Sequence, residues 1–133
     1  MIRAAILLAL IFASVQAAPV QNGIVQQWGG RISRQLSVVA PAKGYISNSG
    51  ELAALWQAWS IKGEMPTIDF TTMVVVVNTS RSSVFKVMAI QVDAAGEMKT
   101  VLIATPDIRS DVGYVITVTE RRGAKTLHGI PIE

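Results

Sequence analysis

The sequence predicts an α+β fold: a predominantly antiparallel β-sheet of about six or seven strands, sandwich- or roll-like, packed with one amphipathic helix. Three observations carry this expectation. In Asn48–Gly63, the apolar residues Leu52, Leu55, Trp56 and Trp59 fall at i, i+3, i+4 and i+7, the spacing of one helical face. The run Met73–Val77 is apolar at every position, as a central strand covered on both faces requires. The rest of the chain breaks into short apolar or alternating runs separated by Gly, Pro, Asn and Ser clusters.

The chain opens with an export signal. Arg3 supplies the positive start, Ala4–Ala13 an apolar stretch too short to cross a bilayer comfortably, and Val15-Gln16-Ala17 a small-x-small cleavage pattern. Cleavage is expected between Ala17 and Ala18, because a cut one residue later would leave Pro19 first. Residues 18–133 then form a single domain, with 18–23 as a mobile, polar leader.

After the leader, Ile24–Trp28 reads as a short strand broken by Gly29-Gly30, and Arg31–Val39 alternates as a second. Ala40–Gly44 is a turn. In the helix, Asn48 is placed to cap the first turn and Glu51 to close a capping box. Lys62 suits the negative end of the helix dipole, Gly63 is the expected left-handed stop, and Pro66 forbids continuation. Beyond the central strand and the turn Asn78–Ser82, Val84–Val92 is apolar on both faces. Asp93–Glu97 makes a hairpin turn and Met98–Thr105 returns as the partner strand. Asp107–Gly113 is a loop, and Tyr114–Thr119 a strand with one wetter face. Arg121–Ala124 is a tight turn, and Leu127–Ile132 the last strand, with Pro131 at an edge. Hairpin connections imply antiparallel pairing.

Removing residues 1–17 takes away Arg3, leaving 116 residues and a net charge of +2 instead of +3. That length supports one modest core. The cations are scattered, with no basic run interleaved with aromatics, which argues against a nucleic-acid partner. No cysteine is present, which rules out disulfides, thiol chemistry and a cysteine-linked lipid anchor. No stable membrane insertion is expected after cleavage. The location implied is extracytoplasmic, periplasmic or secreted.

Few residues offer chemistry. The single histidine, His128, lies in the predicted last strand without a nucleophile–base pattern around it. One His and no Cys make a zinc site a poor fit. Asp107 and Asp111 flank Arg109 and, with Asp69, form the carboxylate set that a hydrolase would need; a turn whose acids are neutralised by Arg109 is the plainer account. Asn78-Thr79-Ser80 is a glycosylation sequon. Arg121, Arg122 and Lys125 form a small basic turn able to touch an acidic partner. No catalytic residue, metal ligand or cofactor site is expected.

Glu51-x-x-x-Leu55-Trp56-x-x-Trp59, followed by Pro66-x-Ile68-Asp69-Phe70-x-x-Met73-Val74-Val75-Val76, resembles the C-terminal domain of the PrcB family of protease-complex subunits. The chain is also similar to small exported bacterial proteins of unknown function. They share an Ala-Thr-x-Asp-x-Arg stretch before a Tyr-Val-Ile strand, here Ala104–Arg109 and Tyr114–Ile116. Where PrcB-like domains carry a Gly-Gly-Tyr turn, this chain reads Arg81-Ser82-Ser83-Val84-Phe85. The resemblance covers roughly 45–132 and implies an accessory, non-catalytic domain, with no functional residue to transfer. The expected function is protein–protein interaction with another envelope or secreted protein, an envelope protease complex being the candidate. The alternatives are a small-ligand binder with a pocket between helix and sheet, and a hydrolase using Asp69, Asp107 and Asp111.

Overall fold

The computed structural model describes residues 21–133; the predicted export segment, its expected cleavage point and residues 18–20 lie outside the described residues. The fold is α+β and mostly antiparallel, as its sequence predicts. Among the described residues, eight strands and one α-helix run in the order β1 (Gln26–Ile32), β2 (Tyr45–Ile46), α1 (Ser49–Ala58), β3 (Met73–Ser80), β4 (Phe85–Val92), β5 (Glu97–Ala104), β6 (Val112–Glu120), β7 (Thr126–Leu127) and β8 (Ile130–Pro131). They form two four-stranded sheets, ordered β1-β6-β3-β2 and β4-β5-β7-β8. All pairings are antiparallel except β5–β7.

The first sheet is the middle of three layers, which explains the double-sided apolar character of β3. Val75 and Val77 join Leu52, Leu55, Trp56 and Trp59 in a core beneath α1. Val74 and Val76 point the other way, into a second core with Val87, Ile90, Met98 and Leu127 of the second sheet. Alternation along a strand turns one Val run into the wall of two cores.

The capping prediction holds in part. Asn48 Oδ1 accepts the Glu51 N–H at 2.8 Å, while the Glu51 carboxylate bonds the Asn48 side-chain amide at 2.7 Å instead of reaching the backbone. The helix ends earlier than predicted. The Ser60 N–H bonds Gln57 O at 3.1 Å and the Ile61 N–H bonds Trp56 O at 3.1 Å, with Ser60 at φ 50°. This is a Schellman closure with Ser60, and not Gly63, in the left-handed position. Lys62 therefore lies beyond the last turn.

Four further expectations are corrected. Gly29-Gly30 does not break β1, which runs through both because each pairs with β6, Gly30 opposite Tyr114. Residues 33–39 form turns, including a 3-10 turn at Leu36–Val39, in place of a strand. β6 has no wet face: Val112–Thr119 are all buried, because β1 and β3 flank the strand and a core covers each side. The last strand is a hairpin, β7 and β8 joined at His128 (φ 48°) and Gly129 (φ 83°). Positive φ at both central residues is the type I′ signature, written here as His-Gly instead of the usual Asn-Gly. Of the leader, Gln21–Gly23 form a 3-10 turn against β4, with Gly23 buried.

The two sheets are stapled by side chains along both open sides. On the β1/β4 side, Gln27 Nε2 donates to Val87 O at 3.2 Å, and Arg31 Nη1 donates to Ser82 O at 3.1 Å. On the β2/β8 side, Tyr45 Oη donates to Pro131 O at 2.8 Å and accepts the Glu133 N–H at 3.1 Å.

Candidate interaction edge

β5 is paired with β4 along its whole length, but on its other side β7 covers only Glu97 and Met98. The His128 N–H donates to Met98 O at 3.1 Å, so the backbone groups of Met98 face that side. In a strand these groups alternate, so those of Thr100, Leu102 and Ala104 face it too. At Thr100 the position is partly taken: its N–H points to His128 Nε2 at 3.4 Å. From there to Ala104 no strand pairs with β5 among the described residues. The open stretch Thr100–Ala104 spans about 16 Å at strand rise.

The side chains on this edge make it unusual. Val101, Leu102, Ile103 and Ala104 are consecutive, uncharged and exposed, Ile103 at 58%. Natural sheets normally blunt such an edge with charge, proline or a covering element. Here β4 carries an irregularity between Val87 and Ala89 that leaves Met88 exposed. The chain beyond β5 continues the apolar surface. The Arg109 N–H donates to Arg81 O at 2.7 Å and Arg81 Nε donates to Arg109 O at 2.9 Å, and this pinned loop holds Ile108 out at 74% exposure.

Charge is confined to one face of the hairpin. Lys99, Val101 and Ile103 share a face by alternation, and Lys86 sits directly opposite Ile103. Both lysines are exposed, and neither enters an ion pair among the described residues. Glu97 lies in the same row, but its carboxylate accepts from Thr126 Oγ1 and from the Gly129 N–H.

The residues singled out in the sequence lie elsewhere. Asp107 accepts from Thr105 Oγ1 and from the Ser83 N–H at 3.1 Å; the Thr105 hydroxyl first, then Ser83, holds its pKa at about 2. Asp111 is gripped by Arg31 through two bonds of 3.0 Å and by Arg109 at 3.2 Å, and Arg31 chiefly brings its pKa to about 2. Asp69 sits in a turn, where the Thr71 hydroxyl and N–H lower its pKa. It precedes Met73 at one end of β3, whereas Asp107 and Asp111 lie near Ser80 and Gly113 at the other. Roughly 23 Å of strand separates the two ends, so the three carboxylates do not meet. Arginine and hydroxyl partners hold Asp107 and Asp111 ionised, whereas a general acid needs its pKa raised.

Two of the three cations in the basic turn are tied to backbone. Arg121 Nε donates to Phe70 O at 3.0 Å and Met73 O at 3.2 Å, and Arg122 Nη2 to Ile90 O at 2.8 Å. Lys125 is exposed beside Gly96. His128 forms the β7–β8 turn and shields the start of the open edge. The Asn78 Oδ1 is buried without a hydrogen-bond partner among the described residues, so the sequon lies in β3 and is not offered on a loop.

Two hollows bear on a small ligand. The hollow beside the helix, lined by Val39, Pro41, Ile46, Glu51, Ala54 and Leu55, holds about 180 Å³, below the range of roughly 300–1,000 Å³ usual for ligand pockets. A broader trough opens between the Gln27 and Arg31 staples, beside Gly29, Phe85 and Val115, in two adjoining parts of about 400 and 390 Å³.

The sequence reading missed the open edge. Its signal was present: Val101-Leu102-Ile103-Ala104 is apolar on consecutive positions, a pattern that normally means cover on both faces. Nothing in the sequence shows that β7 is only two residues long and leaves that cover unbuilt.

Compared with known proteins, the chain matches no family model, no curated protein and no solved structure at a significant level.

Proposed function

We propose that this protein is an exported, non-enzymatic binding domain that engages another envelope or secreted protein by accepting an extended segment of it as an added strand on β5. The observation that supports this reading is the open edge at Thr100–Ala104: uncharged, exposed from Val101 onward, and with the backbone groups of Leu102 and Ala104 facing outward. Strand addition supplies affinity through main-chain hydrogen bonds and specificity through alternate side chains. The apolar residues on and beside the edge add area to bury on association. The PrcB-like pattern makes an envelope protease complex the candidate assembly, with this domain as an accessory part.

Leu102→Pro tests it directly. Leu102 presents its N–H to the open side, so proline removes the donor an incoming strand needs without removing a bond to β4. Capture from the native envelope fraction should yield a partner with the wild-type mature protein and lose it with Leu102→Pro, circular dichroism being unchanged. Equal capture by both proteins overturns the reading. Sequencing of the exported protein should find Ala18 at the mature N-terminus; Met1 there would overturn the export reading.

A further inference from the structure

We infer that the segment added to β5 carries carboxylates on one face and apolar side chains on the other, and that a second copy of this chain is disfavoured in that place. This rests on the strand-addition reading above and specifies its partner.

An added strand presents alternate residues to the two faces of the sheet. On the outer face they would lie beside Lys99, Val101 and Ile103, with Lys86 one strand further in. Both cations are exposed, and the nearby acid Glu97 is occupied by Thr126 and Gly129. Residues placed there meet two cations against one carboxylate, that of Glu97, which is held toward Thr126 and Gly129; the face is net positive, so carboxylates are favoured and lysines or arginines disfavoured. On the inner face the neighbours are Leu102 and Ala104, both exposed, which favour apolar side chains. The lysines also decide against self-pairing. Two copies joined antiparallel through β5 would set Lys86 and Lys99 of each on one continuous face, four cations against the two Glu97 carboxylates. Edge lysines of this kind are how sheets resist joining their own copies.

The test uses two capped octapeptides, one alternating valine with glutamate and the other valine with lysine, titrated into the mature protein at low salt. Amide NMR shifts give both affinity and location. The Glu peptide should shift the Leu102 and Ala104 amides and bind roughly fivefold to tenfold more tightly than the Lys peptide, a gap that narrows as salt rises. Lys86→Glu with Lys99→Glu should invert the preference, and Leu102→Pro should abolish binding of either peptide. Equal affinities that Leu102→Pro abolishes would overturn the charge inference while leaving strand addition standing. Absence of shifts at the β5 edge with either peptide would overturn both. A concentration-dependent dimer of the free protein, with β5 amides at its interface, would overturn the choice of occupant.

Discussion

At the scale of single residues, Trp56 of α1 and Trp59 at its C-cap anchor the core under the helix. Trp59 is 4% exposed, donates Nε1–H to Leu36 O at 2.8 Å and lies 4.9 Å from the Tyr114 ring. Trp56 is 8% exposed, donates to Gly63 O at 3.1 Å and meets Trp28 edge-on at 5.2 Å. Each indole fills volume and also satisfies a loop carbonyl. Truncation should cost about 3–5 kcal/mol, a large part of a domain stability of roughly 5–15 kcal/mol. Denaturant unfolding should show Trp56→Ala and Trp59→Ala strongly destabilised and the exposed Gln57→Ala near wild type. Unchanged midpoints in both tryptophan variants would mean that the helix does not depend on this face. Two smaller sites give sharper contrasts. A Cβ on Gly30 would lie 2.7 Å from Tyr114 Oη and 2.9 Å from its ring, whereas one on Gly29 finds its nearest neighbour at 3.4 Å. Tyr114 is wedged against Trp59 and has little room to yield, so Gly30→Ala should cost about 1–3 kcal/mol and Gly29→Ala far less. Ser60 holds the left-handed cap at φ 50°; Ser60→Gly should raise stability by about 0.5–1 kcal/mol, read as a higher unfolding midpoint.

At the scale of elements, what was legible in the sequence followed from periodicity. The helical face of Leu52, Leu55, Trp56 and Trp59 and the two-sided run Val74–Val77 each record how many faces are covered, and they named the centre of the molecule. What was not legible followed from tertiary context. Thr117 and Thr119 made β6 look half-wet, yet their hydroxyls are satisfied inside, Thr117 by Gln27 at 3.1 Å and Thr119 by Arg122 at 3.3 Å. Gly29-Gly30 looked like a break because a glycine's cost in a strand is visible locally, while the space needed by the Tyr114 ring across the ladder is not. Asp107 and Asp111 pair by their spacing in the sequence and do lie together, but the length of β3 separates Asp69 from them. For β5, the apolar run was read as a partner strand, and only the shortness of β7 makes it an edge. That geometry predicts an asymmetry between adjacent positions. Leu102 faces its backbone outward and Ile103 faces β4, so Ile103→Pro breaks a ladder bond and should cost about 3 kcal/mol or more, while Leu102→Pro leaves the unfolding midpoint nearly unchanged. A larger loss for Leu102→Pro than for Ile103→Pro would mean that the strand's alternation is assigned the wrong way round.

At the scale of the whole molecule, the two sheets are joined by more than their shared core. The first sheet gives Arg31 to Ser82 O at the entry to the second, while Asp111 stands where the chain returns from the second sheet to the first. Arg31 therefore holds both crossings, and Asp111 holds Arg31. Both Asp107 and Asp111 have their pKa lowered to about 2, so the folded state binds their protons less readily than the unfolded chain does. Each contribution is complete above the unfolded carboxylate value of about 4 and is lost as pH falls from there through about 2. Acid titration followed by circular dichroism should show stability level near neutral pH and declining across that window. Asp111→Asn should be less stable than wild type at pH 7, because the Arg31 guanidinium loses its anionic partner, and should fall less steeply between about pH 4 and 2. If the variant and wild type descend in parallel, the Arg31–Asp111 pair does not couple the sheets. The acid sensitivity would then belong to Asp107, which ties the loop beyond β5 to Ser83 in the β3–β4 crossing, and to Asp69 in its turn, and Asp107→Asn together with Asp69→Asn should flatten the curve in its place.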